Sequence, residues 1–104
     1  MKTIWKFKLD ASEQHPDPCY LLPRTIEMPK GAKILFLQTQ KGFPCIWALV
    51  DPKAVSKKRV FIIYAARQNI HPSELMRMQY IGSFQTDFVD GEELVFHVFE
   101  KIIK

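Results

Sequence analysis

Apolar positions along the chain recur with a period of two in short runs separated by turn residues, which is the signature of strands rather than of helices. The stretch Ile34 to Asp51, ILFLQTQKGFPCIWALVD, sets the pattern. Ile34, Phe36, Ile46, Trp47 and Val50 are β-branched or aromatic and suit a pleated, half-buried surface. Lys41-Gly42 supplies a tight turn between two strands, with Gly42 free to take positive φ. Pro44 has no N–H, so the second strand is expected to begin near Cys45 and to end at Asp51-Pro52. Alternation puts Ile34, Phe36, Gln38 and Gln40 on one face of the first strand, and Lys33, Leu35, Leu37 and Thr39 on the other. In the second strand Cys45, Trp47 and Leu49 oppose Ile46, Ala48 and Val50. Neither face is fully polar, so a second sheet, a loop or another subunit is expected to cover each side.

The same period appears elsewhere. Thr3 to Leu9 alternates, with Trp5, Phe7 and Leu9 on one face and Ile4, Lys6 and Lys8 on the other. Thr25 to Met28 is a short strand candidate, and Pro29-Lys30-Gly31 turns the chain. Val60 to Ala66 and Leu94 to Phe99 are apolar on both faces. Met78 to Thr86 reads as a strand with Gly82 marking a bulge or a close approach. Asp90-Gly91 is a hairpin turn signal. Asp10 to Pro23 is irregular, since its spaced prolines forbid a helix. Lys53 to Arg59 reads as a polar loop. His71-Pro72-Ser73-Glu74 starts one helical turn, with Pro72 early in it. The expectation is a single all-β domain over residues 1–104, an antiparallel sandwich or partly open barrel of six or seven strands. The first and last strands are expected to pair through Lys6 or Lys8 and Glu100.

Composition changes this picture little. In 104 residues, 47% hydrophobic and 25% charged are ordinary globular values, and the chain is long enough for one core. The net charge of +4 argues against DNA mimicry and permits, without demanding, an anionic partner. No secretory signal or membrane-length apolar run is visible, so a reducing cytosol is expected, with Cys19 and Cys45 reduced.

Candidate chemistry is sparse. His15, His71, His97, Cys19 and Cys45 lack the paired spacing of a zinc site, so no metal and no cofactor are expected. Cys45 and His97, with Asp51 orienting the imidazole, are the one conceivable hydrolase set, and both sit in apolar runs that read as structure. P-loop, nucleophile-elbow and Rossmann glycine patterns are absent. The surplus of two-sided apolar strands points to a protein partner or a homodimer, with Trp47 and Phe61 as candidate self-association residues. The binding candidates in the loops are Lys57, Lys58, Arg59, Arg67, His71, Arg77, His15 and Tyr20, because loops on a rigid scaffold carry contacts. Nucleotide or nucleic-acid binding is the alternative. It requires aromatics among Trp5, Tyr20, Trp47, Tyr64 and Tyr80 exposed beside Lys58, Arg59 or Arg67.

The segments Thr25 to Leu35, Gly42 to Pro52, Tyr80 to Gln85 and Val95 to Glu100 resemble a family of small uncharacterised bacteriophage and prophage proteins. They cover about half of the chain. The Asp10 to Pro23 loop is longer than that family's pattern. The resemblance implies a phage or prophage origin and expression in a bacterial host cell, and it transfers no activity. It also implies non-enzymatic binding of a host or phage protein, including inhibition of a host or defence process.

Overall fold

The structure is a computed structural model and describes residues 1–9, 23–41, 43–85 and 95–102. Among the described residues, seven strands and one helical turn follow in the order β1 (Thr3–Lys8), β2 (Arg24–Pro29), β3 (Lys33–Gln40), β4 (Phe43–Val50), β5 (Ser56–Ala65), α1 (Pro72–Leu75), β6 (Met78–Gln85) and β7 (Val95–Lys101). They form two antiparallel sheets, β1-β4-β3 and β2-β5-β7-β6. The expected all-β sandwich is present, and no barrel closes. The expectations for His15, Cys19, Tyr20, Gly42 and the Asp90-Gly91 turn lie outside the described residues.

The core lies between the sheets. β4 contributes Ile46, Ala48 and Val50, β5 Phe61 and Ile63, β6 Phe84, and β7 Phe96 and Val98. Phe61 is fully buried, so its ring presents nothing to a second subunit. Burying a side chain of this size stabilises the fold by roughly 1.5–3 kcal/mol. Leu9 extends the β1–β4 ladder by donating its N–H to the Pro44 carbonyl and is itself buried.

Four expectations are corrected. The first and last strands do not pair: β1 pairs β4, whereas β7 lies between β5 and β6. The Lys53 to Arg59 stretch is not all loop, because β5 begins at Ser56. Lys57, Lys58 and Arg59 sit in a ladder opposite Met28, Glu27 and Ile26, so tertiary pairing overrides their loop-like composition. β4 begins at Phe43, and Pro44 is accommodated as its second residue. Finally, the faces of β3 do not alternate as expected. Its register against β4 shifts between Ile34 and Phe36, so Leu35 is an extra residue. A bulge reverses the phase of alternation. Ile34 and Leu37 both pack against the core, and Phe36 turns outward.

A second register shift, between Tyr80 and Gly82, makes Ile81 the extra residue, next to the glycine that the sequence marked. β3 and β6 are edge strands of different sheets and run beside each other at the side of the sandwich. A Cβ placed on Gly82 would lie 3.5 Å from the Leu37 side chain. The two bulges therefore lie on the two strands that flank this seam.

Candidate functional site

Two surfaces merit a functional reading, and the fold positions each. The first is one end of the sandwich. The β2–β3 connection is a tight turn, in which the Ala32 N–H donates to the Pro29 carbonyl at 3.1 Å and Gly31 takes φ of 82°. This is the third position of a type II turn, which glycine suits. The Lys30 N–H donates to the Val55 carbonyl at 2.7 Å and fixes the turn against the start of β5. Here Arg59 reaches Glu100 of β7 on the inner side of the sheet. Its Nε and Nη2 donate to the two carboxylate oxygens at 2.5 and 2.6 Å, and its Nη1 donates to the Ala32 carbonyl at 2.6 Å. The fork-to-fork geometry makes this a strong, directional pair. The two side chains are only 20% and 13% exposed, so the pair is half-buried.

Around this strut lies a cavity of about 470 Å³, lined by the Lys30–Ala32 turn, Lys57–Arg59 and the end of β7 through Lys101 and Ile102. A second cavity of about 320 Å³ shares Ala32, Arg59, Gln79 and Glu100. It opens at the bulged seam beside Leu35, Phe36, Tyr80 and Ile81.

The second surface is the outer face of the three-stranded sheet. Ladder register places Ile4, Lys6 and Lys8 of β1 beside Leu49, Trp47 and Cys45 of β4. It places Phe36, Gln38 and Gln40 of β3 beside Trp47, Cys45 and Phe43. Ile4, Phe36 and Phe43 are 54%, 47% and 45% exposed. Phe36 and Trp47 stack at 4.9 Å with ring planes 9° apart. The Lys8 ammonium stands 4.0 Å over the Phe43 ring, and Lys6 donates to the Gln40 side chain at 2.6 Å. None of the three strands contains an Asp or Glu.

The outer face of the other sheet differs. Tyr64 is buried, with its hydroxyl donating to Glu74 of α1 at 3.3 Å. Burial, and then the nearby Glu74 carboxylate, raise the Tyr64 hydroxyl above its ordinary pKa of 10.0. Phe99 packs edge-on against both Tyr64 and Tyr80, and the Tyr80 hydroxyl is 2.9 Å from His97 Nδ1.

The candidates from the sequence therefore separate. Lys57, Lys58 and Arg59 line the same cavity, and Arg77 stands beside it, its carbonyl accepting from the Ile102 N–H at 2.7 Å. Arg67 lies at the other end of β5, in a turn where it holds φ of 69°. His71 caps α1, its Nδ1 accepting from the Ser73 N–H at 3.2 Å. Trp47 is half-buried on the open face. Cys45 and His97 lie on the outer faces of different sheets, so the hydrolase set does not assemble. Among the described residues no three of His, Cys, Asp and Glu come together as metal ligands, and no helix is long and apolar enough to cross a membrane. The sequence reading missed Lys30, Lys101, Glu100, Phe36 and Phe43 as site residues. The Pro29-Lys30-Gly31 turn was the one local signal for Lys30, and the bulge that exposes Phe36 left no signal in the pattern of residues.

Fold and surfaces together define a two-sheet antiparallel β domain with an open aromatic face and a basic end. The chain belongs to a family described as a domain of unknown function, DUF7352, whose model matches residues 1–104. No curated protein and no solved structure matches it.

Proposed function

We propose that the protein is a non-enzymatic binding module that docks another protein on the outer face of its three-stranded sheet. The observation that carries this reading is the exposed run of Ile4, Phe36 and Phe43 around half-buried Trp47, on strands without a single carboxylate. Exposed apolar surface rimmed by polar groups marks interaction sites, and aromatic residues are enriched at their centres. Lys6, Lys8 and Lys33 set the charge of the rim. Two copies meeting face to face would oppose these lysines, which disfavours a homodimer. The fitting partner is a protein with an apolar patch surrounded by Asp and Glu. The resemblance to phage and prophage proteins directs the search to host-cell and phage proteins, including components of host defence.

Affinity capture from bacterial lysate at low and high salt tests this. The expected result is a stoichiometric protein retained by the wild type at high salt and lost with Phe36→Glu or Ile4→Glu. Capture that survives both substitutions overturns the reading. Nucleic acid retained only at low salt would replace it with the alternative of polyanion binding. A concentration-dependent dimer abolished by the same substitutions would replace the heterologous partner with a second copy.

A further inference from the structure

The two sheets have four edge strands, and the chain does not treat their edges alike. β3 and β6 each carry a bulge and run beside one another at the side of the sandwich. β2 carries Glu27, ends on Pro29 and has Pro23 just before it. Bulges, prolines and charges are the usual ways of blunting an edge. β1 is regular: it has no bulge, no proline and no carboxylate. Among the described residues no strand pairs with its far edge, the one away from β4. Its blunting residues are Lys6 and Lys8.

Register identifies the backbone groups that this edge presents. The Leu9 N–H donates to the Pro44 carbonyl at 2.9 Å, and the ladder continues with Phe7 opposite Ile46, Trp5 opposite Ala48 and Thr3 opposite Val50. In an antiparallel pair, hydrogen-bonded positions alternate with positions whose N–H and C=O point the other way. Thr3, Trp5 and Phe7 therefore bond to β4, while Ile4 and Lys6 aim their N–H and C=O groups at the far edge. The side chains here are open on both faces. Phe7 packs against the core, which puts Trp5 on the same inner face, yet Trp5 is 41% exposed. Ile4, on the outer face, is 54% exposed. Lys6 meets the Gln40 amide and no described carboxylate.

We propose, building on the open-face reading, that β1 accepts an extended segment of the partner protein as a fourth strand of this sheet, and that the segment alternates acidic and apolar residues. Main-chain bonds to Ile4 and Lys6 supply the attachment, and side chains on the two faces supply the selection. On the outer face an Asp or Glu of the segment stands beside Lys6. On the inner face an apolar residue covers Trp5. Opposite charges on neighbouring strands stabilise the pair, and like charges destabilise it. A second copy of β1 brings lysines of its own to the outer face, whereas an acidic strand neutralises them. The lysines thus act as a filter on what the edge admits.

Amide hydrogen exchange of the full chain, read by NMR, tests this with two end-capped octapeptides, one alternating valine and glutamate and the other valine and lysine. The valine–glutamate peptide should slow exchange at Ile4 and Lys6 at least about tenfold and leave Trp5 and Phe7, already bonded to β4, within about twofold. The valine–lysine peptide should change neither pair. Lys6→Gln should weaken binding of the acidic peptide about threefold through loss of the charge. Lys6→Pro should weaken it more than about tenfold, because it removes an N–H at the far edge and keeps the ladder to β4. Unfolding temperature checks that each variant is folded. An acidic peptide N-methylated at alternate residues makes the same test without touching the protein, and it should also bind more than about tenfold more weakly. Unchanged exchange at Ile4 and Lys6 with millimolar acidic peptide, equal protection by the lysine peptide, or undiminished binding to Lys6→Pro overturns the proposal. Slow exchange at Ile4 and Lys6 in the protein alone overturns it too, and slowing that grows with protein concentration identifies a second copy on the edge. Phe36 lies on β3, across β4 from this edge, so the two readings fail separately. Capture lost with Phe36→Glu but no peptide protection sinks the added strand alone. Peptide protection with capture that survives Phe36→Glu supports the added strand and sinks docking across the face.

Discussion

The outer face of the four-stranded sheet carries Tyr64, Phe99, Tyr80 and His97, and α1 covers part of it through Glu74. Tyr64 is buried there and bonded to Glu74, while Tyr80 is satisfied by His97. The outer face of the three-stranded sheet carries Ile4, Phe36, Phe43 and Trp47, and no described element packs across it. Both sheets contain strands that are apolar on two sides. One closes its second face with its own chain, whereas the other leaves rings and lysines at the surface. Surplus hydrophobicity is thus a local property, and among the described residues the three-stranded sheet leaves more of it at the surface.

The largest expected effect separates core from open face. Phe61→Ala should cost about 4 kcal/mol in denaturant unfolding, as for other buried aromatics. Trp47→Ala should cost about 1 kcal/mol, because its stacking on Phe36 is lost at a half-exposed site. Equal costs would show that Trp47 is covered and that the contrast between the faces is false.

Next comes the strut. Glu100→Gln should lower stability by about 2 kcal/mol, the scale of hydrogen bonds to a charged group, discounted for its partial exposure. It should also leave the open face unchanged. An effect below about 0.5 kcal/mol would reduce the pair to an ordinary surface contact.

The turn is a smaller lever. Gly31→Ala meets no atom within 4 Å, so only the φ of 82° opposes it. The expected cost is about 1 kcal/mol. A neutral result would mean that the turn relaxes and that Lys30 is not fixed by it.

On the capped face, Tyr64→Phe should cost about 1 kcal/mol or less at neutral pH through loss of one hydrogen bond. The same variant carries a pH signature. Since the Tyr64 pKa is raised in the folded state, the folded chain holds this proton more tightly than the unfolded chain. Its contribution is constant below pH 10 and is lost as pH rises above that value. Tyr64→Phe should flatten that part of the alkaline decline. An identical decline in both proteins would show that the cap does not hold the phenol.

Much of the fold was legible because period-2 runs and turn residues are local signals. The strands near Thr3, Ile34, Cys45 and Met78, the helical turn after His71 and the bulge near Gly82 all follow from them. Strand partners were not legible. Nothing local says that β1 pairs β4 or that Lys57 to Arg59 lies in a ladder with β2, because such choices depend on the whole core. The site was half legible. The Lys57-Lys58-Arg59 run was visible as charge density, but Lys30, Glu100 and Lys101 reach it only through sheet topology. Phe36 was assigned to the same face as Ile34, and one extra residue in β3 separated them.

The most direct test of the open-face claim compares matched charge insertions on the two sheets. Ile4→Glu on the open face and Ser83→Glu on the outer face of the other sheet both replace exposed side chains. Each variant is used as bait for high-salt capture beside the wild type, with unfolding temperature as the check on folding. The account predicts that Ser83→Glu retains the captured protein at wild-type stoichiometry and that Ile4→Glu loses it. Retention by both, or loss only with Ser83→Glu, would contradict the claim that the three-stranded sheet is the docking face.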